Sequence, residues 1–378
     1  MDLAQIPVKW ILYIMLYGGA AFAALIASIY IYLRRGNAFA PDVTPPVRLR
    51  RWAAAFFAVV FMGHVLWCLF HIYCGDINSV YCWMVAVPDC IGLLTTVAGT
   101  LLAMLQDRKR PIWPFIMGMT PYAVLLGLNV VYPGGPFINT AIAYALLFYV
   151  LFSVYMVFAV RQYGRWLRDN YADLERKEVW ECHVLVIVLL LLIISYEFDV
   201  GNLTIAYIVQ FIQFPLFGFM LWRIETLPHL ENSSMEQESS SPAPESSEES
   251  DLPTEEHQAS TIPSNVIQQL LDERCVGKQL YLQHDLTLLQ LATAVGINRF
   301  YLSQFFSKHG TTYNAYINDL RINHFVCLYR EAVATRQSIT AQQMAYDSGY
   351  RSYSTFSLAF KQRMGESVTI WIRDTNQA

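Results

Sequence analysis

The chain has 378 residues, of which 55% are hydrophobic and 14% aromatic, with a formal net charge of −4. That apolar content excludes an ordinary soluble globular protein. The net charge hides a segregation: residues 1–224 carry 15 Lys/Arg and 12 Asp/Glu, residues 225–262 carry ten Asp/Glu and no Lys/Arg, and residues 263–378 carry 11 Lys/Arg and eight Asp/Glu.

Crossing a bilayer core as a helix takes about 20 apolar residues. Seven stretches are candidates: 10–33, 52–73, 83–105, 112–131, 137–160, 179–198 and 203–222. The first is too long for a signal-peptide core and runs into Arg34-Arg35, so it reads as a span and not a cleaved leader. The sixth is the weakest, with Glu181 and His183 at its entry. Thirteen Lys/Arg fall in the odd loops, none in the even loops, and Lys9 alone precedes the first span. The positive-inside rule then makes the odd loops cytoplasmic and predicts an outside N-terminus and an inside C-terminus. In a prokaryote this is a multi-pass protein of the cytoplasmic membrane whose C-terminal region shares a compartment with the chromosome.

Polar residues inside spans are costly and need a reason. His64, Cys68 and His71 fall at i, i+4 and i+7 of the second span. Asp76, Asp89, Cys90, Glu197 and Asp199 lie toward the same outer side, where together they form a candidate site for a cation or polar signal ligand. Interhelical hydrogen bonding is the favoured explanation of His64, Cys68 and His71, whose spacing matches no strong metal motif. Gly19/Ala23 and Ala20/Ala24/Ser28 give small-xxx-small spacing in the first span, which permits close helix packing.

Residues 225–262 are rich in Ser, Pro and Glu and lack aromatics. Such a segment cannot bury enough apolar surface to fold. As a flexible coil it reaches on the order of 35 Å. It serves as a spacer, an acidic screen for a basic face, or a site of proteolytic release.

Two matched stretches follow: Thr287-Leu-Leu-Gln290-Leu-Ala292-Thr-Ala-Val-Gly296 and Thr340-Ala-Gln-Gln343-Met-Ala345-Tyr-Asp-Ser-Gly349. In each, Thr and Gln suit a capping box, a small Ala sits where two helices cross, and Gly suits a left-handed helix end. Asn298 and Ser352 are suited to cap the helices that follow. Inward residues are Leu288, Leu291, Val295, Leu302, Phe305 and Phe306 in the first unit, and Tyr350, Phe356 and Phe360 in the second. A helix over 264–275, its start placed by Pro263, leads, and a helix over 316–332 joins the units. This is a tandem helix-turn-helix pattern, which presents a recognition helix to the DNA major groove. Cys275 and Cys327 are expected to be small, buried, reduced residues.

Residues 263–378 resemble the DNA-binding domain of the AraC/XylS family. The likeness rests on the tandem Thr-x4-Ala-x3-Gly elements, Tyr301-Leu-Ser-Gln-Phe-Phe306, Leu320-Arg321-Ile322, and the run from Gly349 to Gly365. It covers under a third of the chain. It implies two recognition helices in successive major grooves on one face of double-stranded promoter DNA. Base-facing candidates are then Arg299, Phe300, Ser303 and Gln304 in the first helix, and Arg351, Ser354, Thr355 and Leu358 in the second. Lys308 and Lys361, with Arg321 and Arg363, meet phosphates or hold the fold. Leu358 is apolar where the family pattern leads one to expect a polar reader, which implies methyl contact or no contact there.

The expected fold is all-α: a polytopic bundle of about seven spans over 1–224, an acidic linker over 225–262, and an AraC-type double helix-turn-helix domain over 263–378. The expected function is that of a membrane-anchored, sequence-specific transcription regulator, responsive to a signal through its spans. Homodimers and RNA polymerase are further partners. The alternative is a transporter or membrane receptor whose tail couples occupancy to transcription. No nucleophile–base pair or metal-hydrolase motif appears, so no enzyme, cofactor or metal is expected.

Overall fold

The computed structural model describes residues 7–33, 37–41, 43–74, 80–132, 135–174, 177–181, 184, 188, 203–230, 263–337 and 340–377. All elements among them are helical, apart from one isolated β-bridge between Tyr171 and Thr287. The chain divides into two units. One comprises Met1–Tyr163 and Val179–Asn232, the other Gly164–Glu178 and Ser233–Ala378.

The first unit contains α1 (Val8–Leu33), α2 (Val47–Tyr73), α3 (Val80–Met104), α4 (Trp113–Val131), most of α5 (Phe137–Asn170), and α6 (Leu203–Thr226). Six helices among the described residues are therefore long and apolar enough to cross a membrane. Most of the 179–198 stretch lies outside the described residues. The small residues of the first span do what their spacing implies: Ala20, Ala24 and Ala27 are buried, and the Ser28 hydroxyl donates to the Ala54 carbonyl at 2.9 Å. Gly19 lies against the Phe214 ring of α6. Large apolar side chains such as Phe22, Met117, Phe158 and Phe211 face outward, the pattern of a surface solvated by hydrocarbon and not water.

The arginines after the first span also close backbone. Arg50 donates to the Ile31 carbonyl at 2.9 Å, satisfying an orphan acceptor near the end of α1. Arg110 pairs with Asp107 where both are buried. The head of the acidic stretch is packed: Glu225, Thr226, Leu227 and Leu230 are buried. The Glu225 carboxylate accepts from the Ala38 amide at 3.0 Å, and Gln106 bridges the Pro228 carbonyl and Leu230 amide, both at 2.9 Å. The remainder, 231–262, lies outside the described residues.

Helix α5 runs ten residues beyond the predicted 160. Tyr163, Leu167 and Asn170 form a buried stripe on one face, while Arg161, Arg165 and Arg168 are exposed. A hydropathy window ends at the first charge, whereas an amphipathic helix does not.

The second unit contains α7 (Ser264–Leu271), α8 (Leu288–Val295), α9 (Arg299–Lys308), α10 (Tyr313–Thr335), α11 (Ala341–Asp347), α12 (Tyr353–Met364) and α13 (Val368–Gln377). It has two small cores. The first gathers Leu271, Leu288, Leu291, Ala292, Val295, Leu302, Phe305 and Phe306, and also takes Ala172 from the segment that follows α5. The second gathers Met344, Ala345, Tyr350, Phe356 and Phe360. Helix α10 joins them, giving Tyr313 and Ile317 to the first and Ile322, Phe325 and Tyr329 to the second. Cys275 is buried as expected, and burial pushes its thiol up to about 11. Cys327 is exposed, correcting the expectation that it is buried: α10 turns Ile322, Phe325 and Tyr329 inward, and Cys327 falls between those positions.

Candidate nucleic-acid interface

Both helix pairs are set by their caps. In the first, the Thr287 hydroxyl accepts from the Gln290 amide at 3.2 Å, and the Gln290 side chain accepts from the Thr287 amide at 2.9 Å, completing a capping box. Gly296, at φ +78, ends α8, and Asn298 caps α9 by accepting from the Phe300 amide. In the second, Thr340 accepts from the Gln343 amide at 3.1 Å, but the Gln343 side chain reaches forward to Asp347. This box is half-formed. Ser352 caps α12 through the Thr355 amide.

Gly349 is needed twice over. Its φ of +91 is left-handed, and a Cβ placed on it would lie 2.8 Å from the Leu282 Cα. Gly349→Ala is therefore expected to destabilise the second unit by about 2–4 kcal/mol, the left-handed penalty plus overpacking. Chemical denaturation followed by Trp371 fluorescence measures it, since Trp371 packs on Phe360 in the same core.

The sequence-predicted readers sit on α9 and α12 and just before α12. On α9, Phe300 and Lys308 are exposed, and Arg299, Ser303 and Gln304 are half-buried. Arg351, Ser354, Leu358 and Lys361 are exposed, and Thr355 is half-buried. The fold thus leaves these positions exposed or half-buried, and it keeps Phe305 and Phe306 of α9 and Phe356 and Phe360 of α12 inside. Arg363 pairs with Asp319 at 2.7 Å, with both side chains about half-exposed.

Arg321 holds the fold. Its side chain is fully buried. Its Nε donates to the Tyr281 carbonyl at 2.7 Å, its Nη2 to the Gln283 carbonyl at 2.7 Å, and its Nη1 to the Asp173 carboxylate at 3.0 Å.

Asp173 opens a set of contacts that sequence reasoning missed. Its second carboxylate oxygen accepts from the Asp285 amide at 2.9 Å. The Ala172 amide donates to the Leu286 carbonyl at 3.1 Å, and Asn314 donates to the Tyr171 and Ala172 carbonyls. Lys177 reaches Asp285 at 3.1 Å, and Asp285 also holds Arg351 at 2.7 Å. The Arg299 guanidinium donates to the Asn170 side-chain oxygen. Burial pulls the Arg299 pKa below its ordinary value, and nearby Tyr171 works against this. No local signal marks this segment, because its partners lie more than a hundred residues away in sequence.

Residues 291–374 match the family model described as a helix-turn-helix domain. The match runs from within α8 through α9, the connecting α10 and the second helix pair into α13. No curated protein and no solved structure matches the chain. The chain therefore combines a C-terminal helix-turn-helix domain with, among its described residues, six helices of membrane-spanning length and apolarity.

In the first unit the predicted polar residues separate. His64 is buried, bonded to the Val60 carbonyl at 2.8 Å and to Gln210 at 3.3 Å, with the Tyr17 ring 4.6 Å from its own. Asp89 accepts from the Trp67 indole at 2.9 Å. Cys68 and His71 are exposed, so the three residues of the second span do not converge on one point. Asp76, Glu197 and Asp199 lie outside the described residues. The interhelical hydrogen-bonding reading accounts for His64 and Asp89.

Proposed function

We propose that this protein is a membrane-anchored, sequence-specific transcription regulator of the AraC/XylS type. It acts by binding, not by catalysis. The observation that carries the reading is the joining, in one chain, of six helices of membrane-spanning character among the described residues and a helix-turn-helix domain that carries Arg299, Gln304 and Arg351 at half-buried or exposed positions. Arginine and glutamine have the donor geometry for guanine and adenine edges in the major groove. The Lys/Arg asymmetry of the loops supports seven spans, an outside N-terminus and a cytoplasmic DNA-binding domain. Promoter DNA and the lipid bilayer are its partners, with a second copy of the chain and RNA polymerase as further ones. A signal received by the spans sets the availability of the C-terminal domain.

The test is selection from a random duplex pool by the full-length protein in lipid nanodiscs. Two recognition helices in successive grooves predict an enriched motif with two contact clusters about 10 bp apart. Enrichment of no motif contradicts the reading.

A further inference from the structure

The end of α5 and the short segment after it reach the face of their own unit that carries the candidate readers. Asn170 takes a hydrogen bond from Arg299, the first residue of the first recognition helix. Arg299 is half-buried there, in a position where a base reader must point into a groove. The same segment touches Arg351 only indirectly, through Asp285. These two contacts differ in weight. The Arg351–Asp285 pair is exposed, 65% and 38%, and such pairs contribute little. Asn170 is buried, and its amide also donates to the Trp166 carbonyl, which fixes the side chain toward Arg299.

The segment itself is firmly anchored. Asp173 pairs with buried Arg321, Ala172 joins the first core, and Asn314 clasps the Tyr171 and Ala172 carbonyls. Asn170 closes α5 where the docked segment begins, and its bond to Arg299 can break while that segment stays in place. The segment is covalently continuous with α5, a helix that begins among the spans.

We propose that Asn170 is an intramolecular brake on DNA reading: it holds the Arg299 guanidinium in the unbound protein, and DNA must displace it. This rests on the reading of Arg299 as a base contact. The brake is a hydrogen bond to a charged group at a partly solvated site, so removing it tightens DNA binding by roughly three- to tenfold. A carboxylate in its place holds Arg299 harder and weakens binding by a similar factor.

The experiment uses the full-length protein in nanodiscs and a duplex carrying the motif enriched in the selection above, with Asn170→Ala included in that selection. Asn170→Ala should bind more tightly than wild type and Asn170→Asp more weakly, at one fixed salt concentration. On an Arg299→Ala background both differences should vanish, because the brake acts only through that side chain. Arginine modification by phenylglyoxal, read by mass spectrometry at Arg299, should be faster in Asn170→Ala than in wild type. Equal or weaker binding by Asn170→Ala, or an effect that persists without Arg299, overturns the brake. If neither wild type nor Asn170→Ala enriches any motif, the DNA-binding reading itself fails and the brake falls with it.

Discussion

Replacing Asp173 with Ala should destabilise the C-terminal unit by about 3–5 kcal/mol, the usual cost of stripping one partner from a buried ion pair. The magnitude follows from Arg321. Its side chain is inaccessible to solvent, so a guanidinium stripped of its carboxylate stays buried. Two backbone carbonyls remain to it after the substitution, but the Asp173 carboxylate is gone. The Asp285 amide loses its acceptor as well, at a residue held at φ +55. Against a typical domain stability of roughly 5–15 kcal/mol the loss is large. Asp173→Asn, which keeps an acceptor, should cost less. Hydrogen exchange of residues 263–377 in the full-length protein measures both: faster exchange through α8 and α10 is expected, and unchanged protection contradicts the account. A fragment beginning at residue 263 omits Asp173 and should carry the same deficit, which argues against proteolytic release as the working form.

Arg299→Ala and Arg351→Ala should each weaken binding to the selected motif by about 1–3 kcal/mol, roughly fivefold to 150-fold, while leaving binding to unrelated duplex nearly unchanged. Specificity, not overall affinity, is the quantity lost, because non-specific binding comes from phosphate neutralisation. The excess positive charge of 263–378 is only three, so that term is modest. Lys308→Ala and Lys361→Ala, by contrast, should weaken all duplexes alike and lower the salt dependence. Both side chains are exposed, one closing its recognition helix and the other in the last turn of its own. Competition binding of motif against scrambled duplex separates the two classes. The two arginines act at separate helices, so their effects should add.

Local physics explains what was legible. The spans announce themselves because a bilayer-crossing helix needs a long apolar run, and the helix-turn-helix pairs because caps, small crossing residues and left-handed glycines fall at short, fixed offsets. Thr287 with Gln290, Gly296 and Gly349 all perform those roles. The extension of α5 to Asn170 was not legible from hydropathy, since Tyr163 and Leu167 alternate with arginines. The docking of residues 170–174 and of Lys177 was illegible for a deeper reason. Asp173 and Arg321 are 148 residues apart, and nothing in a loop of mixed charge announces that one aspartate will be buried. Arg321 was read as a phosphate contact or a fold residue, and burial decides for the fold. Cys327 was read as buried from its residue type, and the phase of α10 sets it outside. The candidate site followed the same rule: the outward positions of α9 and α12 were readable from helical phase, but the partner of Arg299 was not.

The central claim is that one chain reads specific DNA while held in the membrane. The direct measurement is to crosslink full-length protein to DNA in its own cells, recover it from the membrane fraction, and sequence the DNA beside an Arg299→Ala/Arg351→Ala variant. The account predicts discrete peaks in the wild-type membrane fraction that are lost in the double variant. DNA recovered without peaks, or peaks equally sharp in the variant, would contradict it.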